Sequence, residues 1–222
     1  MSTSSNTKQN KLISKTFGTM FFGLSVSALA SYLLYATELY KVIDIWGMIV
    51  LGIIGFVVEI IFLFKFKELS PTKVRILFYT FAIIQGLFVG YGCLFYDLNT
   101  ITEAFFITAL LFGSLALYGY FTKKDVSKLG TICFFALGIN IIVSLFNIFI
   151  LKSPMIDIIL NWAAVIIYSG LTIHDMNKIK SMSKRVKADD DKLHLYCALD
   201  LMLDIIGLFI EILSILDRNK KK

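Results

Sequence analysis

Seven long apolar stretches follow one another along the 222-residue chain, separated by short polar connections. A helix needs about 20 mostly apolar residues to cross the hydrocarbon core of a bilayer, which is about 30 Å thick. Transmembrane β-strands are instead about ten residues of alternating polarity, so these continuous stretches predict helices. They cover residues 16–36, 45–64, 76–96, 102–121, 130–151, 155–173 and 194–216.

The composition is that of a membrane protein. Hydrophobic residues make up 57% of the chain and charged residues 17%, whereas a soluble domain carries about 25% charged residues. We therefore predict an all-α membrane protein with a seven-helix transmembrane domain at 16–216. Residues 1–15 form a polar basic N-terminal tail, and residues 217–222 a charged C-terminal tail. The first stretch contains a sequence similar to a signal-peptide cleavage site, but it continues to Ala36 and is predicted to be a retained span.

The net charge of +6 comes from basic residues between the apolar stretches, so it indicates topology rather than nucleic-acid binding. Alternate connections carry sixteen Lys and Arg residues on one side and six on the other. The richer side includes the N-terminus, which the positive-inside rule places in the cytoplasm. The basic tail at 217–222 is discordant, because seven crossings put it outside. The seventh stretch therefore either crosses fully or turns back within the bundle.

The seventh stretch contains three acidic residues, Asp200, Asp204 and Glu211. Steps of four and seven residues place them on one helix face. Ionisable groups inside a membrane are costly and normally avoid lipid, so this face is predicted to point into the bundle. We expect the last helix to be central and wrapped by the other six. These acids either carry function or serve structure alone, as protonated or hydrogen-bonded groups.

Asp175 lies at the end of the sixth stretch, just before Lys178 and Lys180. At a rise of 1.5 Å per residue, it should lie about 5 Å inside the cytoplasmic surface, and Asp204 about 9 Å inside. The two carboxylates could then meet and share one proton. When ionised, they offer the hard oxygen ligands that calcium prefers. Alternatively, Asp175 pairs with a loop lysine at the helix end.

Other polar and small residues are weaker candidates. Glu59 in the second stretch either joins the acidic interior or pairs with Lys65. Asn140 either bridges two helices by a hydrogen bond or lines a pore, and bridging is the more typical role. Gly86 and Gly90 form a G-x-x-x-G motif that allows two helices to approach closely. The three cysteines have no metal-ligand spacing and are predicted to be packing residues.

Four segments match motifs of a known family, in the same order along the chain. They are YSGLTIHDMNKIK at 168–180, ALDLMLDIIGLF at 198–209, YGYFTKKDVSKLG at 118–130 and FYTFAIIQGL at 78–87. The first two resemble the end of the sixth helix and the last helix of the Bax inhibitor-1 family, the transmembrane Bax inhibitor motif proteins. The other two resemble the family's fourth-to-fifth connection and third helix. Together these segments span most of the chain.

The resemblance implies a seven-helix protein of the bacterial plasma membrane that acts as a pH-sensitive calcium leak channel. The two aspartates that govern the leak in the family match Asp175 and Asp204, which are also the expected calcium ligands. Calcium is then a permeant or transiently bound ion, and no tightly bound cofactor is expected. Some members place an arginine at the end of the second helix, where this chain has lysines. The auxiliary candidates are Asp200, Glu211, Glu59, Lys65 and Lys67.

The expected partners are the lipid bilayer, calcium ions, protons and membrane proteins, and no nucleic acid. The alternative function is that of a non-transporting interaction protein that modulates a membrane protease or a cell-death or stress pathway. Two aspartates on adjacent helices also suit aspartyl proteolysis. However, nothing near them resembles the surroundings of such an active site, and no enzymatic activity is expected.

Overall fold

The computed structural model of the chain describes residues 2–185 and 192–220. Within these residues the chain forms seven α-helices and no strand, which confirms the all-α prediction. A 3₁₀ turn (Leu39–Lys41) follows the first helix and a π-helical turn (Asn147–Leu151) follows the fifth. The helices are α1 (Ser2–Ala36), α2 (Ile45–Lys65), α3 (Pro71–Cys93), α4 (Leu98–Phe121), α5 (Ser127–Phe146), α6 (Pro154–Arg185) and α7 (Leu193–Lys220).

Several helices extend beyond the apolar stretches that predicted them. α3 begins at Pro71 rather than at residue 76, because the Ser70 side chain accepts a hydrogen bond from the Lys73 backbone N–H and caps the helix. α6 continues through its polar end to Arg185, and α7 continues into the basic tail as far as Lys220. The length of an apolar stretch reflects the thickness of the membrane, whereas the helix itself can continue beyond the apolar layer into water.

Five of the helices in the described ranges are long and apolar enough to cross a membrane. α7 is not among the five. The five segments are Asn10–Ala36, Pro71–Cys93, Leu98–Phe121, Ser127–Leu151 and Pro154–Lys184.

The chain divides into two compact units. Among the described residues, unit 1 comprises 2–97, 183–185 and 192–202, and therefore holds α1, α2, α3 and the start of α7. Unit 2 comprises 98–182 and 203–220, and holds α4, α5, most of α6 and the remainder of α7. Asp175 and Asp204 both belong to unit 2.

In unit 1, α1 packs closely against α3. The Ser27 hydroxyl donates a hydrogen bond to the Ala82 carbonyl oxygen (2.6 Å), and the Ser31 hydroxyl donates to that of Gly86 (2.5 Å). A Cβ at Gly86 would overlap the backbone of Ser27, and one at Gly90 would overlap Ser31. The prediction that this G-x-x-x-G motif allows close helix approach is therefore confirmed.

In unit 2, α6 contacts both α4 and α5 through hydrogen bonds to backbone carbonyls. Asn140 on α5 donates from Nδ2 to the Leu160 carbonyl oxygen at 3.0 Å, which confirms its predicted bridging role. Asn177 on α6 donates from Nδ2 to the Gly119 carbonyl oxygen near the end of α4, at 3.3 Å. These bonds fix α6 against two neighbours and so define the position of Asp175.

Candidate aspartate site

Asp204 lies in the middle of α7 and is almost fully enclosed, with 3% of the residue exposed. Removing a carboxylate from water costs several kcal/mol unless other groups compensate. Cys133 on α5 lies within electrostatic range of this carboxyl group. Asp204 therefore faces protein rather than lipid, as the sequence predicted for the acidic face of the last helix.

Asp175 lies near the end of α6, and 15% of its side chain is exposed. The Nδ1 atom of His174 is 2.9 Å from the Asp175 Oδ1 atom. The Lys178 Nζ atom is 4.0 Å from the same oxygen. The lysine contact agrees with the helix-end pairing considered from the sequence, whereas the histidine contact was not predicted.

The register of α6 against α7 relates the two aspartates. In this antiparallel pair, the Asp157 carboxylate meets Arg218 (3.1 Å), and the ring of Tyr168 packs against Gly207. The Asn161–Ser214 hydrogen bond (2.7 Å) fits the same register. Continuing the register places Asp204 level with residue 171 of α6. Asp175 is four residues further along, or about 6 Å at 1.5 Å per residue.

Contacts with α5 also bear on the positions of Asp175 and Asp204. A Cβ at Gly170 on α6 would overlap the Cys133 sulfur atom, so these residues are in direct contact. One turn further along, the His174 ring packs against Gly130 with no room for a side chain. Because the Cys133 thiol also interacts electrostatically with Asp204, α5 is a neighbour of both Asp204 and His174, the residue next to Asp175.

Glu211 lies apart from this pair. It is seven residues beyond Asp204 on α7, about 10 Å along the axis. The side-chain amide of Asn161 donates to the Glu211 Oε2 atom (3.2 Å) and to the Asp157 carbonyl oxygen (3.1 Å), while its own oxygen accepts from the Ser214 hydroxyl. Glu211 is therefore held in a polar seam between α6 and α7.

The remaining auxiliary candidates belong to unit 1. Asp200 is half-buried and lies one turn before Asp204 on α7. Glu59 is half-buried on α2. Lys65 forms an ion pair with Glu68 (2.9 Å) rather than the one with Glu59 that was considered from the sequence. Lys67 is exposed at the end of α2.

Calcium binding by Asp175 and Asp204 stays a prediction. Among residues 2–185 and 192–220, no three His, Cys, Asp or Glu side chains converge as a metal-binding group. Calcium normally takes six to eight oxygen ligands, so two carboxylates leave most positions to water and carbonyl groups.

Two residues beside the aspartates were missed by sequence reasoning. The contact between His174 and Asp175 gave no signal in the sequence, because adjacent side chains in a helix normally do not face each other. Cys133 was assigned a packing role, which its burial agrees with. No sequence pattern links Cys133 to Asp204, 71 residues later.

Comparison with known proteins supplies the family. The family described as "Inhibitor of apoptosis-promoting Bax1" matches residues 9–221, which is nearly the entire chain. The chain belongs to the Bax inhibitor-1 family. The resemblance found in the four sequence segments is thus confirmed.

Bacterial relatives cover most of the chain. The chain is 30% identical to "Inner membrane protein YbhL" of Escherichia coli K12, over 94% of this chain and 92% of the relative. It is 33% identical to "Uncharacterized protein RP147" of Rickettsia prowazekii, over 73% of this chain and 70% of the relative. It is 29% identical to "Uncharacterized membrane protein SpyM3_0260" of Streptococcus pyogenes, over 98% and 96% respectively. With its apolar helices, the chain is a membrane protein of this family.

Proposed function

We propose that the protein is a calcium leak channel of the bacterial plasma membrane, and that protonation of the Asp175–Asp204 pair sets its leak rate. The main support is the enclosure of Asp204 about one helical turn from Asp175. An ionisable group held inside a membrane bundle is costly and is typically retained for function. Membership of the Bax inhibitor-1 family gives independent support.

The chemistry of the pair suits a pH-dependent gate. Two nearby carboxylates do not both ionise readily, so they share one proton at lower pH. Loss of that proton adds repulsion between α6 and α7 and produces two oxygen groups able to interact with calcium. The protonation state therefore changes both the spacing of the helices and their attraction for the ion.

A seven-crossing topology with a cytoplasmic N-terminus forms part of the proposal. α7 continues without a break from Leu193 to Lys220, about 42 Å at 1.5 Å per residue, which favours full crossing over a return within the bundle. Its last residues lie beside the beginnings of α4 and α6, through Lys220–Glu103 and Arg218–Asp157 ion pairs. The many buried residues of α7 support a central position for this helix.

Flux measurements on liposomes with a trapped calcium indicator test the function directly. The wild-type leak should change between pH 6 and pH 8. Asparagine has the shape of a protonated carboxyl group without its titration, so Asp175→Asn and Asp204→Asn should each fix the leak at the wild-type pH 6 rate. Flux equal to that of empty liposomes at every pH would rule out the channel. An unchanged pH response in both variants would rule out the gate.

Asp125 supplies a matched control on the connection between α4 and α5. Its carboxylate accepts a hydrogen bond from the Ser127 backbone N–H (2.9 Å), which lowers the pKa of Asp125 below its ordinary value. A lowered pKa keeps this carboxylate ionised from pH 6 to pH 8. Asp125→Asn should therefore leave the pH response of the leak unchanged.

The alternative function, a membrane interaction protein, is favoured by exposed lysines on the connections of the predicted cytoplasmic side. Lys67, Lys123, Lys124 and Lys128 are all exposed. A protein partner on this side should be captured by cross-linking in native membranes. Reversal of the charges of Lys123, Lys124 and Lys128 should abolish that capture while leaving liposome flux intact. A variant that loses both capture and flux would count against a separate interaction role.

A further inference from the structure

Lys192 connects the start of α7 to the end of α2. Its Nζ atom lies 2.9 Å from each of the carbonyl oxygens of Phe66, Lys67 and Leu69. These residues belong to the 66–70 connection between α2 and α3, which we call the strap. The same ammonium group lies 5.2 Å from the centre of the Phe66 ring.

The strap matches the bonding capacity of the lysine. An ammonium group has three N–H donors and no acceptor, and the strap offers three converging carbonyl groups. All three carbonyls belong to residues that follow Lys65, the last residue of α2. Lys192 therefore holds the strap with charge-assisted hydrogen bonds, which are stronger than neutral ones.

An aromatic contact adds a second attachment next to the first. The Phe66 ring packs on the ring of Tyr196, with centroids 5.2 Å apart and planes at 53°. Tyr196 lies one turn after Lys192, so the strap is fixed along the first turn of α7. Aromatic pairs in this distance range contribute about 0.5–1.5 kcal/mol beyond simple burial.

The ring attachment lies on the acidic face of α7. Tyr196, Asp200 and Asp204 follow at steps of four residues, and residues at this spacing share one helix face. Asp200, one turn beyond Tyr196, is half-buried, whereas Asp204 is buried. The strap is thus held at the point where the acidic face of α7 begins.

We infer that Lys192 is a positioning residue, which holds the strap over the start of the acidic face and limits the access of cations to Asp200. The inference rests on the proposed leak function and concerns its regulation. Loss of the lysine should release the strap without altering Asp200 itself. The leak should then be faster at a fixed pH.

Two measurements test the inference with three variants. Lys192→Met keeps the apolar stem and removes the ammonium, Lys192→Arg keeps a charged donor, and Lys184→Met removes an exposed lysine near the end of α6. Hydrogen exchange of the 66–70 amides should become about tenfold faster in Lys192→Met, because local protection depends on such bonds. Calcium flux at pH 7 should increase about threefold or more, in line with a local opening of the strap.

The control variants distinguish an effect on the strap from an effect on the channel itself. Lys192→Arg should restore both exchange and flux towards wild type, and Lys184→Met should change neither. Unchanged exchange at 66–70 in Lys192→Met overturns the inference even where the protein leaks calcium. Faster exchange with unchanged flux in a protein that leaks also overturns it, because the lysine then has only a structural role.

Two further outcomes, a wild type without flux and a Lys192→Met protein that does not fold, are interpreted by measuring flux and hydrogen exchange separately. If the wild type shows no flux, the channel proposal fails and the role of Lys192 in regulating it fails too, while exchange still reports whether the lysine holds the strap. If Lys192→Met does not fold, Tyr196→Leu, which removes the ring contact with Phe66, should give smaller increases in exchange and flux. No increase in either quantity for a folded Tyr196→Leu protein overturns the inference.

Discussion

Gly207 shows how one small residue determines the spacing of two helices beside the aspartate site. A Cβ at this position would overlap the ring of Tyr168 on α6. Gly207 is three residues from Asp204, less than one helical turn. Any larger residue there must displace either the tyrosine ring or the helices themselves.

Gly207→Ala is therefore expected to destabilise the protein by roughly 1–3 kcal/mol, the usual cost of overpacking a tight contact. The measurement is the thermal unfolding midpoint in a mild detergent, which should fall. Gly113→Ala is the matched control, because a Cβ there meets nothing within 4 Å. Alanine is favoured over glycine in helices by roughly 1 kcal/mol, so the control should be neutral or stabilising. Equal midpoints for the two variants would contradict a tight Tyr168 contact.

Individual residues differ in how far the sequence could predict their roles. Asp204 and Asp175 are conspicuous, because a carboxylate is costly within or next to an apolar stretch. Lys192 gave no such signal, since its acceptors are backbone carbonyls 123 to 126 residues earlier in the chain. Every residue type supplies a carbonyl group, so no side-chain pattern marks those acceptors.

At the scale of elements, polar contacts connect the end of α7 to the beginning of α6. Arg218 donates to the Pro154 carbonyl oxygen (3.0 Å) and to the Asp157 carboxylate (3.1 Å). Asn147, in the π-helical turn after α5, also donates to Asp157. The sequence showed a charged residue at each helix end, but the antiparallel register decides that these residues pair.

A double-mutant cycle with Arg218→Met and Asp157→Asn should give a coupling free energy of about 0.5–1 kcal/mol, the upper range for partly exposed ion pairs. About a third of each side chain is exposed, 31% and 36%, which limits the value. Lys65–Glu68 is the comparison pair, with exposures of 58% and 67%. Its coupling, measured by the same unfolding experiment, should be close to zero. Equal coupling in the two cycles would argue against a stabilising contact between α6 and α7.

At the scale of the whole molecule, hydropathy located the seven helices of the described residues but not their ends. α6 and α7 both continue into charged sequence, because residues outside the apolar layer can still form helical hydrogen bonds. The α3 start depends on a cap at Ser70, which a hydropathy pattern ignores. Side-chain contacts such as Ser27–Ala82 depend on which helices become neighbours, and composition does not specify this.

Topology is the property of the whole molecule on which the proposed function depends. In the proposed topology, the side with sixteen Lys and Arg residues lies in the cytoplasm, as the positive-inside rule favours. The proposed seven crossings carry the basic C-terminal tail outside, against the local preference of its own charges. The continuous helix Leu193–Lys220 supports a full crossing by α7, and the sixteen basic residues on the other side outnumber the four of the tail.

Reporter fusions in a bacterial host test this topology. Alkaline phosphatase joined after the last residue should be active, since the enzyme folds only outside the cytoplasm, and green fluorescent protein at the same position should be dark. Fusions within the 122–126 connection should give the opposite result, which makes that site the internal control. A fluorescent C-terminal fusion would mean an even number of crossings. α7 would then have to leave the membrane on the side it entered, which its unbroken helical geometry opposes.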